Sequence, residues 1–208
     1  VINKKIQYSK LKSKFDQNGY NFIHICCRNG DQKTLEFLME KLNVNKKELD
    51  VATHNKHKET GFTLACKHGH LNMVKYLVQH KIKNTANHNK MTGLELAIQH
   101  KKYDIVTYLL STDAYSMKLS HSPLKLAIES NDIKIIEQLL KSGYTIQLND
   151  ESMNCKIACA TPDVFNLLQA KFPSLVQSCT SLPFLLHCMC HQNIALMKVL
   201  LNLSLITL

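Results

Sequence analysis

Residues 60–78 read TGFTLACKHGHLNMVKYLV. Phe62, Ala65 and Cys66 make an i, i+3, i+4 apolar stripe, His68-Gly69-His70 interrupts it, and Met73, Val74, Leu77 and Val78 make a second stripe. Each stripe has helical spacing, so the stretch predicts two short amphipathic helices joined by a turn. A first helix this short is marginal alone. The hairpin must therefore bury its apolar side on neighbours of the same kind, and at least three must stack.

The pattern returns along the chain. NFIHICCRNGDQKTLEFLM starts at Asn21, TGLELAIQHKKYDIVTYLL at Thr92 and SPLKLAIESNDIKIIEQLL at Ser122, with weaker copies from Met153 and Pro183. In register, one column holds only small residues: Cys26, Ala65, Ala97, Ala127, Ala158 and Cys188. A large or charged group there would overpack each interface it touches. An apolar residue follows twelve positions later at Leu38, Leu77, Leu109, Leu139 and Leu200. The fifth copy is shorter, and its Thr161-Pro162-Asp163 reads as the N-cap and first two positions of a helix.

These residues carry a resemblance to the ankyrin repeat, whose pattern runs Asp-x-x-Gly-x-Thr-Pro-Leu-His-x-Ala-Ala, then Gly-His, then a Leu-rich second helix. Asp16 to Asn21 opens the first copy in register, His24 takes the His position, Lys67-His68-Gly69-His70-Leu71 follows the inter-helix turn, and Ser122-Pro123-Leu124 the Thr-Pro-Leu start. The resemblance implies an all-α ankyrin-repeat solenoid of stacked helix-turn-helix units with short hairpin-like loops. Residues 1–15 form an N-terminal segment or cap helix, and 16–208 hold six repeats, approximately 16–50, 51–84, 85–114, 115–145, 146–175 and 176–208. Gly61 and Gly93 replace the Pro, while Thr63, Glu95 and Lys125 replace the His. The turn Gly, present as Gly30 and Gly69, becomes Lys101 and Asn131, of which Asn accepts a left-handed conformation more readily. About six extra residues around Asn43 to Asp50 imply an extended second helix or a longer loop.

The composition agrees with a globular chain. Of its 208 residues 45% are hydrophobic and 20% charged, with six Gly, four Pro and no Trp, which excludes collagen-like, mucin-like and fully disordered classes. At this size a core needs no disulfide staples, so the eight Cys are not a framework by default. No secretory signal opens the sequence, and reduced thiols in the cytoplasm follow. The 26 residues between Lys171 and Lys198 carry no charge, but Pro173, Pro183 and many polar groups exclude a membrane span.

The charge of +10 is uneven: residues 1–102 hold 19 Lys/Arg against 8 Asp/Glu, and residues 103–208 hold 7 against 8. The basic half suggests an acidic partner. A single Arg and no repeated aromatic platform speak against nucleic acid. Cys188-Met189-Cys190-His191 and the pair Cys155, Cys159 could suggest a zinc site, but Cys188 fills the small column and Cys159 the column beside it, which reads as small buried residues, and no metal or cofactor is expected. His24 with Cys26-Cys27, and Cys66 with His68 and His70, place their members two apart on a helix without an orienting third group, so no catalytic set is expected.

The resemblance implies partner contact on a concave surface made by the hairpin tips and the exposed sides of the first helices. The tips here are Asn55 to Glu59, Asn87 to Met91 and Tyr115 to His121. The inner helical pairs Arg28 and Asn29, Lys67 and His68, Gln99 and His100 are basic or polar, whereas Glu129 and Ser130 are acidic or polar. An acidic segment of a protein partner is expected to contact Arg28, His57, Lys58, Lys67, His68, Lys90 and His100. The expected role is a non-enzymatic scaffold or adaptor within a larger assembly; the alternative is the regulatory or targeting portion of a longer enzyme or ion channel. The apolar run Val199 to Leu208 is expected to be covered by further chain or another subunit, and the opening Val1 suggests a fragment of a longer protein.

Overall fold

The computed structural model describes residues 16–42, 49, 51–53, 57–83, 85–112, 122–146, 151–175 and 182–204. The predicted cap helix at 1–15, the extra residues around 43–50 apart from Leu49, and the third tip at 115–121 lie outside the described residues. The chain divides into two compact units, residues 1–121 and 122–208.

In the first unit, α1 (Phe22–Asn29) and α2 (Gln32–Leu42), α3 (Gly61–His68) and α4 (Leu71–Gln79), and α5 (Gly93–Gln99) and α6 (Tyr103–Leu110) form three helical hairpins. The first helices stack in the order α1, α3, α5, and the second helices in the order α2, α4, α6. The start of each first helix is set by its sequence. Asn21, Thr60 and Thr92 cap the helices by accepting from the amides of His24, Thr63 and Glu95, whose side chains accept in return from the cap amides. His24 does more than close this box. Its Nδ1 accepts from the Asn21 amide at 3.1 Å, which leaves Nε2–H to donate to the Val51 carbonyl at 2.8 Å in the approach to the next hairpin. Thr63 and Glu95, which take the His position, close the same box within their own turns.

The small column is the seam of the stack. Cys26, Ala65 and Ala97 are buried, as are Cys27, Cys66 and Ile98 beside them. The glycines standing where the repeat pattern has Pro prove to be points of close approach. A β-carbon at Gly61 would lie 2.9 Å from Cys27 Sγ, and one at Gly93 would lie 2.5 Å from Phe62 Cε1. Gly93 is therefore required by packing.

The second unit repeats the plan with α7 (Pro123–Ser130) and α8 (Ile133–Lys141), α9 (Glu151–Ala158) and α10 (Pro162–Lys171), and α11 (Leu182–Cys190) and α12 (Ile194–Ser204). Ala127, Ala158 and Cys188 are again buried. Thr161 stands at the N-cap position of α10, without a side-chain capping bond, and Pro162 holds its first position, the placement read from the sequence for the short copy. Ile135, Ile136 and Leu139 line the buried side of α8, each contributing about 2 kcal/mol of apolar transfer energy.

In five of the six hairpins the inter-helix turn keeps a left-handed residue at one position, and the short fifth copy, where Pro162 stands there, does not. Gly30 and Gly69 have φ of 72° and 89°, and Lys101, Asn131 and Gln192, four residues after the small position like them, have φ of 55°, 53° and 52°. Lys101 thus adopts the left-handed state as Asn131 does, at a steric cost that glycine avoids.

Candidate functional site

The expected binding residues divide into two groups, both in the first unit. Arg28, Lys67 and His68 lie in the last turns of α1 and α3, and His100 immediately follows α5. Cations there oppose the negative end of each helix dipole. Arg28, His68 and His100 are exposed, whereas the Lys67 side chain is 31% exposed.

What holds this group is a pair of residues that sequence reasoning missed. Tyr20 and Glu59 each stand six residues before the small position of their repeat. The Arg28 guanidinium sits 5.5 Å above the centre of the Tyr20 ring. Lys67 Nζ lies 2.8 Å from Glu59 Oε1, and the Tyr20 hydroxyl donates to Glu59 Oε2 at 3.4 Å. Glu59 is only 2% exposed, and its backbone is pinned by Thr53, whose amide donates to the Glu59 carbonyl at 2.7 Å and whose Oγ1 accepts from the Glu59 amide at 2.9 Å. A buried carboxylate must be met by donors, and Lys67 and Tyr20 meet this one. Lys67 is accordingly the partner of Glu59 before it is a contact for any other acid. The one signal in the sequence was a charged residue in a column that holds Tyr20 and Met91 in the other two repeats of the first unit.

The two imidazoles at the helix ends are shifted toward neutrality. Burial, then Lys67, Arg28 and His70, hold His68 below the usual imidazole range against the opposing pull of Glu59. Burial, then Lys67 and Lys102, do the same for His100, again opposed by Glu59. Both therefore carry less positive charge near neutral pH than a free imidazole does. The His68 ring is stacked near His70, centroids 6.4 Å apart, and His70 Nε2 donates to the Arg28 carbonyl at 2.8 Å. That bond ties one inter-helix turn to the next and fixes the height of Arg28 relative to His68.

His57, Lys58 and Lys90 form the second group, on the hairpin tips. The His88 amide donates to the His57 carbonyl at 2.9 Å, so the second and third tips are joined by backbone. Lys58 and Lys90 are exposed and have φ of 46° and 59°. Glu129 and Ser130 belong to the second unit, where Lys156 Nζ donates to Glu129 Oε1 at 2.7 Å.

Cys159 and Cys190 are exposed and so are not the buried small residues expected from the sequence, whereas the buried cysteines are poor nucleophiles. Burial pushes the thiols of Cys26 and Cys188 up to about 11, and burial raises Cys27 and Cys66 further. Among the described residues, no group of three His, Cys, Asp or Glu stands together as a metal set, and no helix is long and apolar enough to cross a membrane.

A family model described as ankyrin repeats (3 copies) matches residues 46–119, the stretch that contains α3 to α6. No curated protein matches the chain. The capped first helix, the left-handed turn and the second helix recur in the matched region, and residues 46–119 of this protein are ankyrin repeats, the class of module that generally mediates protein–protein interaction.

Proposed function

We propose that this protein is a non-enzymatic scaffold or adaptor that works in the cytoplasm as a subunit of a larger assembly. Its partner is a protein with an acidic segment, bound along the hairpin tips and first-helix ends by Arg28, His57, Lys58, Lys67, His68, Lys90 and His100. The observation that carries the reading is the cradle around Glu59. The Tyr20 ring, itself held by Glu59, fixes the Arg28 guanidinium before a partner arrives, so little ordering cost falls on binding there, while Glu59 takes up part of the charge of Lys67.

Two further features support the assembly. The seven described cysteines are free thiols, as in a reducing compartment. In the second unit, Leu186, Met189, Ile194 and Leu201 are exposed on α11 and α12. Met189 follows its small residue as the fully buried Cys27, Cys66, Ile98 and Ile128 follow theirs, with Cys159 the exposed exception, and this supports further chain or another subunit over the last hairpin.

Titration with a fluorescently labelled oligo-glutamate peptide tests the acidic-partner reading. Binding is expected to weaken steeply between low and physiological salt, and Arg28→Glu is expected to reduce affinity by about tenfold. Affinity that ignores both salt and Arg28→Glu overturns it.

A further inference from the structure

Two pairs of columns join each hairpin of the first unit to the next. Cys27 and Cys66, one residue after the small position, meet the residue four before the small position of the following repeat. A β-carbon at Gly61 would lie 2.9 Å from Cys27 Sγ, and one at Gly93 would lie 2.9 Å from Cys66 Sγ. Lys75, ten residues after the small position, holds its Nζ 5.7 Å above the centre of the Tyr108 ring, which stands eleven after the small position of the following repeat. Burial, and then Glu36 at the position of Lys75, raise the Tyr76 hydroxyl above its ordinary value, so the same columns meet between the first two hairpins. Tyr76 also donates to Met39 Sδ at 3.5 Å across that boundary.

The first and last hairpins each expose one half of this joint. Ile25 is 43% exposed, whereas Leu64, Leu96 and Ile157, which also stand one before the small residue but follow another hairpin of their unit, are buried. That position lies three residues, and so one helix face, from the position four before the small residue, held here by the half-buried Phe22. Phe37 stands in the column of Tyr76 and Tyr108 and is 57% exposed, where those two are half-buried. The other half lies on α11 and α12. Met189, in the column of Cys27 and Cys66, is 61% exposed, and Lys198, in the column of Lys75, is exposed. Charge does not oppose bringing the halves together. Residues 21–42 balance Arg28, Lys33 and Lys41 against Asp31, Glu36 and Glu40, and Lys198 is the sole Lys, Arg, Asp or Glu in residues 182–204.

We propose that the chain associates head to tail, the first hairpin of one copy stacking on the last hairpin of another. Lys198 stands over the Phe37 ring of the second copy as Lys75 stands over Tyr108, on the ring face that Lys41, 5.6 Å from the centroid, does not cover. Met189 packs against Phe22 and Ile25 of the second copy. This group is bulkier than Cys27 with Gly61, so the hairpins stand further apart there, and the unbranched thioether adapts to the ring. The second unit already accepts a ring at that position, because Phe184, four before Cys188, is buried. The joined surfaces are different patches of one chain, so the contact is heterologous and continues from copy to copy. The inference rests on the reading above that another subunit covers the last hairpin, and names that subunit as a second copy.

Sedimentation velocity of the full chain between about 2 and 200 μM tests it. The wild-type sedimentation coefficient is expected to keep rising with concentration beyond that of a dimer. Phe37→Lys and Met189→Lys, both at exposed positions, are expected to melt with wild type and to weaken self-association by about tenfold. Mixed in equal amounts, they are expected to form a heterodimer and nothing larger, since Phe37→Lys keeps an intact last hairpin and Met189→Lys an intact first one. Phe37→Lys/Lys198→Glu is expected to regain association through the exchanged charges. A wild type that stops at a dimer, a Phe37→Lys chain that associates as wild type does, or a mixture that stays monomeric overturns the head-to-tail joint. A wild type that is monomeric throughout overturns it too, and binding of anilinonaphthalene sulfonate then separates the two readings. Dye fluorescence that Met189→Lys lowers leaves a different subunit as the cover of the last hairpin, whereas dye fluorescence that Met189→Lys does not move overturns the covered hairpin as well.

Discussion

Two ion pairs, one in each unit, have nearly the same length and opposite settings. Lys67 meets Glu59 at 2.8 Å and Lys156 meets Glu129 at 2.7 Å. The Glu59 side chain is 3% exposed and the Glu129 side chain 52%. Glu59 also receives Tyr20 and is fixed by Thr53, so its pair is one edge of a network. The exposed pair competes with water at every moment. Distance is thus a poor guide to what a pair does: the first organises a surface, and the second decorates one.

Breaking the buried pair gives the largest effect. Glu59→Ala removes the acceptor for Lys67 and Tyr20 and leaves a void, while the partly exposed Lys67 turns to solvent and recovers some hydration. A loss of about 2 kcal/mol is expected in a denaturant titration of the chain. Because Lys67 then carries an uncompensated charge, the oligo-glutamate peptide is expected to bind more tightly at low salt, by about threefold. Stability and binding move in opposite directions, which separates a cradle from a simple structural strut. A variant that is weaker in both, or in neither, contradicts the division of labour between Glu59 and Lys67.

Acid sharpens the comparison with a smaller effect, because His68 and His100 feel Glu59 and Lys67 in the first unit. Both are held below the ordinary imidazole value of about 6.5 in the folded chain. As pH falls through that value the unfolded chain takes up protons before the folded chain does, so the fold is at full stability above the window and loses it below. The melting temperature is expected to fall between pH 7.5 and 5.5, and His68→Gln/His100→Gln is expected to flatten that slope. An acidic peptide supplies the opposite charge and raises both imidazoles, so its affinity is expected to climb over the same interval. An affinity that is flat in pH would mean that the bound acid stays away from the helix ends.

The helical part of this protein was legible because it depends on period and on size. Ala65 and Ala97 announce a seam that only small residues fit, Asn21, Thr60 and Thr92 announce helix starts, and Thr161-Pro162 announces another where the copy is short. Side-chain pairings were not legible, since they depend on which column faces which across a turn. His70 reaches the Arg28 carbonyl in the first unit, and Asn193, at the matching position five after its small residue, donates to the Ala158 and Ala160 carbonyls at 2.9 Å in the second. Imidazole and amide share only a donor N–H at a suitable height, which residue identity does not reveal. The same limit hid Glu59. A charge among Tyr20 and Met91 looked like a tip residue, and only the fold shows that it turns inward to Lys67.

The exposed pair supplies the smallest effect and the control. Lys156→Ala removes a donor whose own side chain is 32% exposed and whose partner Glu129 remains hydrated on release, so no buried charge is stranded. The expected loss is under about 0.5 kcal/mol, and it should vanish in high salt, where the pair is screened. Lys156 also lies two residues before the buried Ala158, at the position where His24 and Glu95 are buried. If the pair had a structural duty like theirs, Lys156→Ala would cost as much as Glu59→Ala and the loss would persist in salt. A double-mutant cycle of Lys156→Ala with Glu129→Ala decides between the two: a coupling near zero assigns the pair to the solvated surface, and a coupling above about 1 kcal/mol would make the setting of the two pairs equivalent after all.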